Sequence, residues 1–259
     1  MRKWGGIKMN EEQQLTLVEH LTELRKRLII VVSTFVLSLA LGFWLAPKTL
    51  LFLKNQPTAM NVEWNVFGYT DGLMIYVKCA LILAILVTLP IALHQVWLFV
   101  RPGLKENEAK GTGYFIPVSF LLFLLGISFS YYILFPLMLN FMSNINESIG
   151  ALETYGMKQY FTFMFNLVIP VGIVFELPVI ILFLTKLGII TPDRLRKMRK
   201  LSYFVLVVVG VSITPPDFIS DFIIIVPLLL LFEISILVSS WSYKKQLARQ
   251  ALEDQILEQ

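Results

Sequence analysis

Four carboxylates stand where electrostatics would not put them. They are Glu23 in "HLTELRKRL" (20–28), Glu108 in "HQVWLFVRPGLKENE" (94–108), Glu176 in "VFELPV" and Glu233 in "LLFEISI". Glu23 has Arg25, Lys26 and Arg27 as close neighbours, and a helix brings Glu23 and Arg27, four residues apart, onto one face. Such an ion pair is worth only a few tenths of a kcal/mol, roughly 0.2–0.5. Glu19 lies four residues before Glu23 and extends an acidic stripe along a short amphipathic helix, while Glu106 and Glu108 add two more acids further on. Carboxylates pair best with guanidinium, whose planar fork offers two parallel bonds. The residues therefore leave two readings open: local ion pairs, or a surface for an arginine-rich ligand. Glu176 and Glu233 lie inside apolar runs. A charge at the centre of a membrane helix costs roughly 2.5–3.5 kcal/mol on insertion scales, which makes such an acid a functional candidate. A proton relay, a polar docking point for another helix, and a neutral carboxyl bonded to a neighbouring Ser or Thr are the three available roles.

The elements that position these acids are membrane helices. The chain has 259 residues, 56% hydrophobic and 15% charged, and its 20 Phe outnumber its 18 Asp and Glu. A soluble domain carries about 25% charged residues. Cys79 is the single cysteine, which rules out an intrachain disulfide and a thiolate metal cage. His20 and His94 are too few for a His-rich metal site, and no metal or cofactor is expected. The sequence holds no GxxxxGK[ST] loop and no GxSxG elbow, which argues against nucleotide-driven transport within the chain.

Crossing hydrocarbon takes about 20 apolar residues. Reading along the chain gives six candidate spans: 28–46, 73–100, 113–141, 160–185, 201–213 and 218–241. The first resembles a signal peptide in its basic head and apolar body, but Phe43 and Trp44 break the small-residue pattern of a cleavage site, so a retained helix is expected. Six spans put both termini on one side. Placing them inside puts 18 of the 22 Lys and Arg on that side, leaving Lys48, Lys54 and Lys158 outside and Lys78 at an outer helix end. The positive-inside rule then predicts an N-in/C-in protein. It divides into a cytoplasmic amphipathic segment at 1–27, a transmembrane domain at 28–241 and a cytoplasmic tail at 242–259. The net charge of +4 needs no nucleic acid to explain it.

Two adjacent prolines in "TPPD" (214–217) make the last outer turn tight and predict short fifth and sixth helices. Thr191-Pro192-Asp193 offers an N-cap and first turn ahead of the fifth span. Pro90, Pro170, Pro178 and Pro227 lie at mid-depth and predict bent helices in a curved bundle. Glu176, ten residues before Lys186, and Glu233, eleven before Lys244, both fall near the midplane, roughly 15–16 Å from the inner face at 1.5 Å per residue.

With these segments goes a resemblance. "HLTELRKRL", "HQVWLFVRPGLKENE", "SFSYYILFPL" (128–137), "FELPV" (175–179), "LGIITPDRLRKMRK" (187–200), "ITPPDFISD" (213–221) and "PLLLLFEISI" (227–236) together resemble the TatC family, the multispanning component of the twin-arginine protein translocase. The resemblance runs in order along nearly the whole chain; residues 1–9, with Trp4-Gly5-Gly6, match nothing in it and leave Met9 as a second possible start. It implies a non-enzymatic receptor in a bacterial cell membrane. That receptor binds twin-arginine signal peptides and assembles with TatA/TatB-type single-span subunits and further copies of itself. The assembly exports folded proteins on the proton-motive force. By motif match it carries a signal-peptide site onto Glu23, Arg25, Arg27, Phe99 and Glu108, and intramembrane or partner-docking roles onto Glu176, Glu233 and Asp217. Glu23 and Glu108 would accept the ligand's guanidinium groups. Arg25 and Arg27 would repel them, and are expected to orient Glu23 or to hold membrane lipid phosphate.

The competing class is a proton-coupled small-solute carrier that uses Glu176 and Glu233 as a relay. Carriers often carry internal repeats. "FELPVI" and "FEISIL" echo each other, but no half-chain repeat emerges. An intramembrane enzyme finds no support, since there is no HExxH and no pair of aspartates on facing spans.

Overall fold

Long apolar runs have two ways to satisfy their backbone in hydrocarbon, a helix or a closed barrel, and this chain takes the first. The structure, a computed structural model, describes residues 11–59, 64–100, 115–214 and 218–257. Within them the chain forms α1 (Glu11–Lys54), a 3-10 turn (Pro57–Ala59), α2 (Asp71–Val100), α3 (Phe115–Phe129), a π turn (Ser130–Leu134), α4 (Phe135–Ser148), α5 (Met157–Val174), α6 (Leu177–Lys186), α7 (Pro192–Lys197), α8 (Arg199–Ile213) and α9 (Phe218–Leu257). Five helical segments are long and apolar enough to cross a membrane: Leu21–Lys54, Asp71–Phe99, Ile116–Ser148, Met157–Lys186 and Phe218–Ala248. The third runs straight through the π turn, and the fourth joins α5 to α6 across a break at Phe175–Glu176.

The segment read from the sequence as a short fifth span forms the short helix α8. α8 has 15 residues, about 22 Å at 1.5 Å per residue, against about 30 Å of hydrocarbon. The expectation of a short sixth helix is overturned. α9 has 40 residues, about 60 Å long, and continues without a break from the apolar run into the charged segment after Trp241. The proline pair stops α8 but sets no limit on the length of α9. α1 likewise has 44 residues and is continuous from the charged segment into the apolar run.

Local signals explain the junctions. Gly188, at φ 70°, ends α6 in a double closure: its N–H bonds Thr185 O at 3.0 Å and the N–H of Ile189 bonds Leu184 O at 3.1 Å. Thr191 then caps α7, its Oγ1 accepting from the N–H of Arg194 at 3.4 Å with Pro192 in the first turn. Pro90, Pro170 and Pro227 lie inside α2, α5 and α9, whereas Pro178 opens α6, immediately after the break.

α1 and α2 form an antiparallel hairpin and α8 and α9 a second. α3 runs antiparallel to the α5–α6 segment. Phe135, Phe161, Met138 and Leu167 fill the centre. Among the described residues three helix pairs meet at glycine, α8 and α9 through Gly210 against Ile225. A Cβ on Gly42 would lie 2.5 Å from the carbonyl oxygen of Ala80 in α2, and one on Gly126 would lie 2.7 Å from Phe175 at the α5–α6 break. At the end of the bundle remote from Arg27, Lys158 bonds the buried Asp71 at 3.0 Å, and the N–H of Met157 bonds Asn65 O at 2.8 Å. Trp64 packs on Tyr160 and Phe161.

The α1–α2 contact yields a paired test. Gly42→Ala forces backbone apart and is expected to cost about 1–3 kcal/mol, the usual penalty of overpacking. Gly72→Ala, with open space around it, is expected to be neutral or to gain up to about 1 kcal/mol from helix propensity. Unfolding of the two purified variants in the same detergent measures the difference.

Candidate functional site

The α1–α2 hairpin places Glu23, Arg27 and the end of α2 together. Arg27 splits its guanidinium fork: Nη2 donates to Glu23 Oε1 at 3.0 Å and Nη1 to Gln95 Oε1 at 3.2 Å. Glu23 and Arg27 are half-buried, while Arg25 and Lys26 are exposed. Gln95 is buried, and Phe99 lies one helical turn beyond it on the same strip of α2. Glu23, Arg27 and Phe99 are thus gathered at one end of the hairpin, and the exposed Arg25 makes no ion pair with the described residues. Glu108 falls outside the described residues, as does Asp217. Gln95 was invisible to sequence reasoning: a glutamine beside a bundle end carries no charge signal, and its partner is 68 residues away.

Glu176 lies at the break between α5 and α6, with 4% of its surface exposed. The Ser119 hydroxyl of α3 donates to Oε2. Oε1 is buried with no partner among the described residues. A buried polar atom left unpaired is rare and costs roughly 1–3 kcal/mol. The close Gly126–Phe175 approach brings α3 near enough for Ser119 to reach the acid. A neighbouring Ser hydroxyl on the carboxyl is the contact that the third of the roles open to a membrane acid calls for, and it is made on one oxygen only.

Glu233 is differently placed. Arg199, at the first turn of α8, donates from Nη2 to Glu233 Oε2 at 2.7 Å, and the Tyr203 hydroxyl donates to Oε1. Both oxygens are therefore engaged. The pair is half-exposed along the α8–α9 seam. Because α8 is short, its charged end sits level with an acid that lies well inside the apolar run of α9. At the other end of the same seam, the Thr214 hydroxyl donates to Asp221.

A cavity of about 670 Å³ opens at the end remote from Arg27, lined by Thr58, Asn146, Glu153, Tyr155, Gln159 and Tyr160 among others. Glu153 accepts from Asn146 at 3.0 Å and Ser143 at 3.1 Å, and the Asn146 bond is the main cause that holds its carboxyl below the usual range. Among the described residues no group of three His, Cys, Asp or Glu is arranged to hold a metal ion.

Residues 19–227 match the family described as Sec-independent protein translocase protein (TatC). The Sec-independent protein translocase protein TatC of Halalkalibacterium halodurans is 47% identical over 234 residues, covering 90% of this chain and 92% of that protein. The Sec-independent protein translocase protein TatCy of Bacillus subtilis is 47% identical over 232 residues, covering 90% and 91%. A solved structure described as the twin arginine translocase receptor TatC superposes with a TM-score of 0.75 at 32% identity, covering 86% of this chain and 99% of that one.

The α8–α9 seam has a measurable signature. Glu233→Leu leaves Arg199 without its carboxylate beside the apolar run of α9 and is expected to destabilise the chain by about 1–3 kcal/mol, below the cost of breaking a fully buried pair because this one is half-exposed. The double variant Arg199→Met/Glu233→Leu removes both charges and is expected to recover most of that loss. Thermal unfolding of both variants and the parent compares them directly.

Proposed function

Because the chain belongs to the TatC family of Sec-independent protein translocase components, we propose that it is the receptor subunit that takes twin-arginine signal peptides at the end of the bundle holding Glu23. Its family works in protein translocation across a membrane and is not an enzyme family. The chain's apolar helices suit a membrane protein.

The observation that supports the site is the state of Glu23. Its carboxylate already accepts a guanidinium, at a bundle end where Phe99 stands, in the sequence motif that also carries Glu108. A second guanidinium from a peptide is held by the same chemistry. Glu108 supplies the other acid for the second arginine. Phe99 offers an apolar face to the residues after the pair, and Arg25 meets lipid phosphate at the surface. The peptide's apolar stretch then lies along the curved face of the bundle.

In this reading the chain crosses the bacterial cell membrane six times with both termini in the cytoplasm, a topology that the distribution of Lys and Arg supports. α8 makes the fifth crossing by local thinning of the bilayer or by snorkelling of Arg199 and Lys200. TatA/TatB-type single-span subunits dock along α8 and α9, where the Arg199–Glu233 pair and Thr214–Asp221 supply part-exposed polar groups; Asp217 follows Thr214 in the same sequence motif and is the third acid of that docking surface. Further copies of the chain complete the complex, and the proton-motive force drives export of folded cargo. Glu176, with one oxygen unpaired, is the acid left to respond to a ligand or a proton. Glu233, engaged on both oxygens, suits a structural or docking role better than a relay, which disfavours the carrier reading.

Two measurements test this. Glu23→Lys and Glu108→Lys are each expected to abolish photocrosslinking of a twin-arginine peptide while leaving helix content and detergent extraction intact; unchanged crosslinking in both takes these acids out of the site. Glu176→Gln is expected to fold normally, since the amide still accepts from Ser119, yet to change export or partner crosslinking. Full export by Glu176→Gln returns the residue to a structural role.

A further inference from the structure

Glu23 is not an empty receptor group. One of its oxygens is held by Arg27, from one turn further along α1. Arg27 does not spend its whole fork on that acid, because the other terminal nitrogen bonds Gln95 of α2. Its grip on Glu23 is thus single, through Nη2 alone, while Gln95, buried at 9% exposure, fixes the guanidinium to the neighbouring helix. Glu23 Oε2 has no partner among the described residues.

We propose that Arg27 is the chain's own occupant of the Glu23 carboxylate, and that an arginine of the incoming peptide binds there by displacing it. The proposal rests on the reading of Glu23 as a peptide ligand and adds how that ligand is selected. An incoming guanidinium makes two parallel bonds and needs both carboxylate oxygens. To take both, it must dislodge the single Arg27 bond. Arg27 is not cast loose when this happens, since Gln95 still accepts from it. A lysine ammonium is a compact point charge with no fork. It meets the same resident competitor without the second bond that outweighs it. Arg27 therefore acts as a filter that favours arginine over lysine at this position, a repulsive element set against the wrong ligand. This gives a purpose to a base in an arginine-binding site, where a fixed positive charge otherwise only weakens binding.

The same contacts would also allow Arg27 to serve as a strut that orients Glu23, and the two roles differ in sign. The experiment measures binding of fluorescent peptides, one with the arginine pair and one with a lysine pair, to the full-length chain in nanodiscs. Arg27→Gln is expected to tighten the lysine peptide by about two- to five-fold, the worth of one exposed ion pair, and to tighten the arginine peptide less, so that discrimination narrows. Gln95→Leu is expected to act the other way: both terminal nitrogens of Arg27 become free to grip Glu23, and both peptides weaken. In the Arg27→Gln background, Gln95→Leu is expected to have no further effect, because Gln95 acts only through Arg27. If Arg27→Gln does not fold, Arg27→Lys, which cannot bridge both acceptors, is expected to move discrimination in the same direction.

Weaker binding of both peptides to Arg27→Gln makes the residue a strut and overturns the proposal. So does a Gln95→Leu effect that persists without Arg27, which would place Gln95 on the peptide itself. Glu23→Gln separates these failures from a failure of the site. If it weakens the arginine peptide, the site stands whatever Arg27 does; if it changes neither peptide, Glu23 is not a ligand and both readings fall together.

Discussion

Every polar group in the apolar body of this protein needs a partner supplied by the protein, because hydrocarbon supplies none. That constraint selects where the helices touch. Arg27 to Gln95, and the Tyr76 hydroxyl to Phe43 O, bind α1 to α2. Lys78 reaches Thr162, and Asp71 reaches Lys158, between α2 and α5. Ser119 binds α3 to the α5–α6 break. Thr185 and Ser239, at 2.7 Å, join α6 to α9, and Arg199 with Tyr203 joins α8 to Glu233 of α9. Burying apolar surface gives little reason for one membrane helix to prefer another over lipid. These ties give that reason, with glycines at 42 and 126 where backbones must come close.

The helices were legible in the sequence because the apolar run is a strong signal, and the end signals at Thr191-Pro192 and Pro215-Pro216 were equally local. What hydropathy marks, however, is the part of a helix that meets lipid. It is blind to helix that continues into water, which is why α1 and α9 prove much longer than the spans read from them. The α8 estimate held because bases and prolines bound it on either side, as local a limit as any in the chain.

The acids were legible and their partners were not. An acid in an apolar run announces itself by cost. Its partner is an ordinary Ser, Gln, Tyr or Arg brought in by tertiary packing: Ser119 from 57 residues before Glu176, and Arg199 from 34 before Glu233. Sequence distance of that size carries no pairing information without the fold. The three roles held open for a buried carboxyl could therefore be stated from the sequence but not assigned.

How completely each described acid is satisfied now separates them. Glu233 has a charged donor and a hydroxyl, one on each oxygen, and this is the arrangement that resists change, since any new ligand has to break a charge-assisted bond first. Glu23 has one oxygen held by a half-buried i,i+4 pair of small worth and the other without a partner among the described residues, so exchange of partners there costs little. Glu176 has one hydroxyl and one unpaired buried oxygen. It keeps an unmet demand on a carboxyl inside the apolar body, one that a proton, a water or a side chain of another helix would meet. The three acids thus divide by how they are held: one weakly at the end of the α1–α2 hairpin, one with an unpaired oxygen at the α5–α6 break, and one strongly, tying α8 to α9.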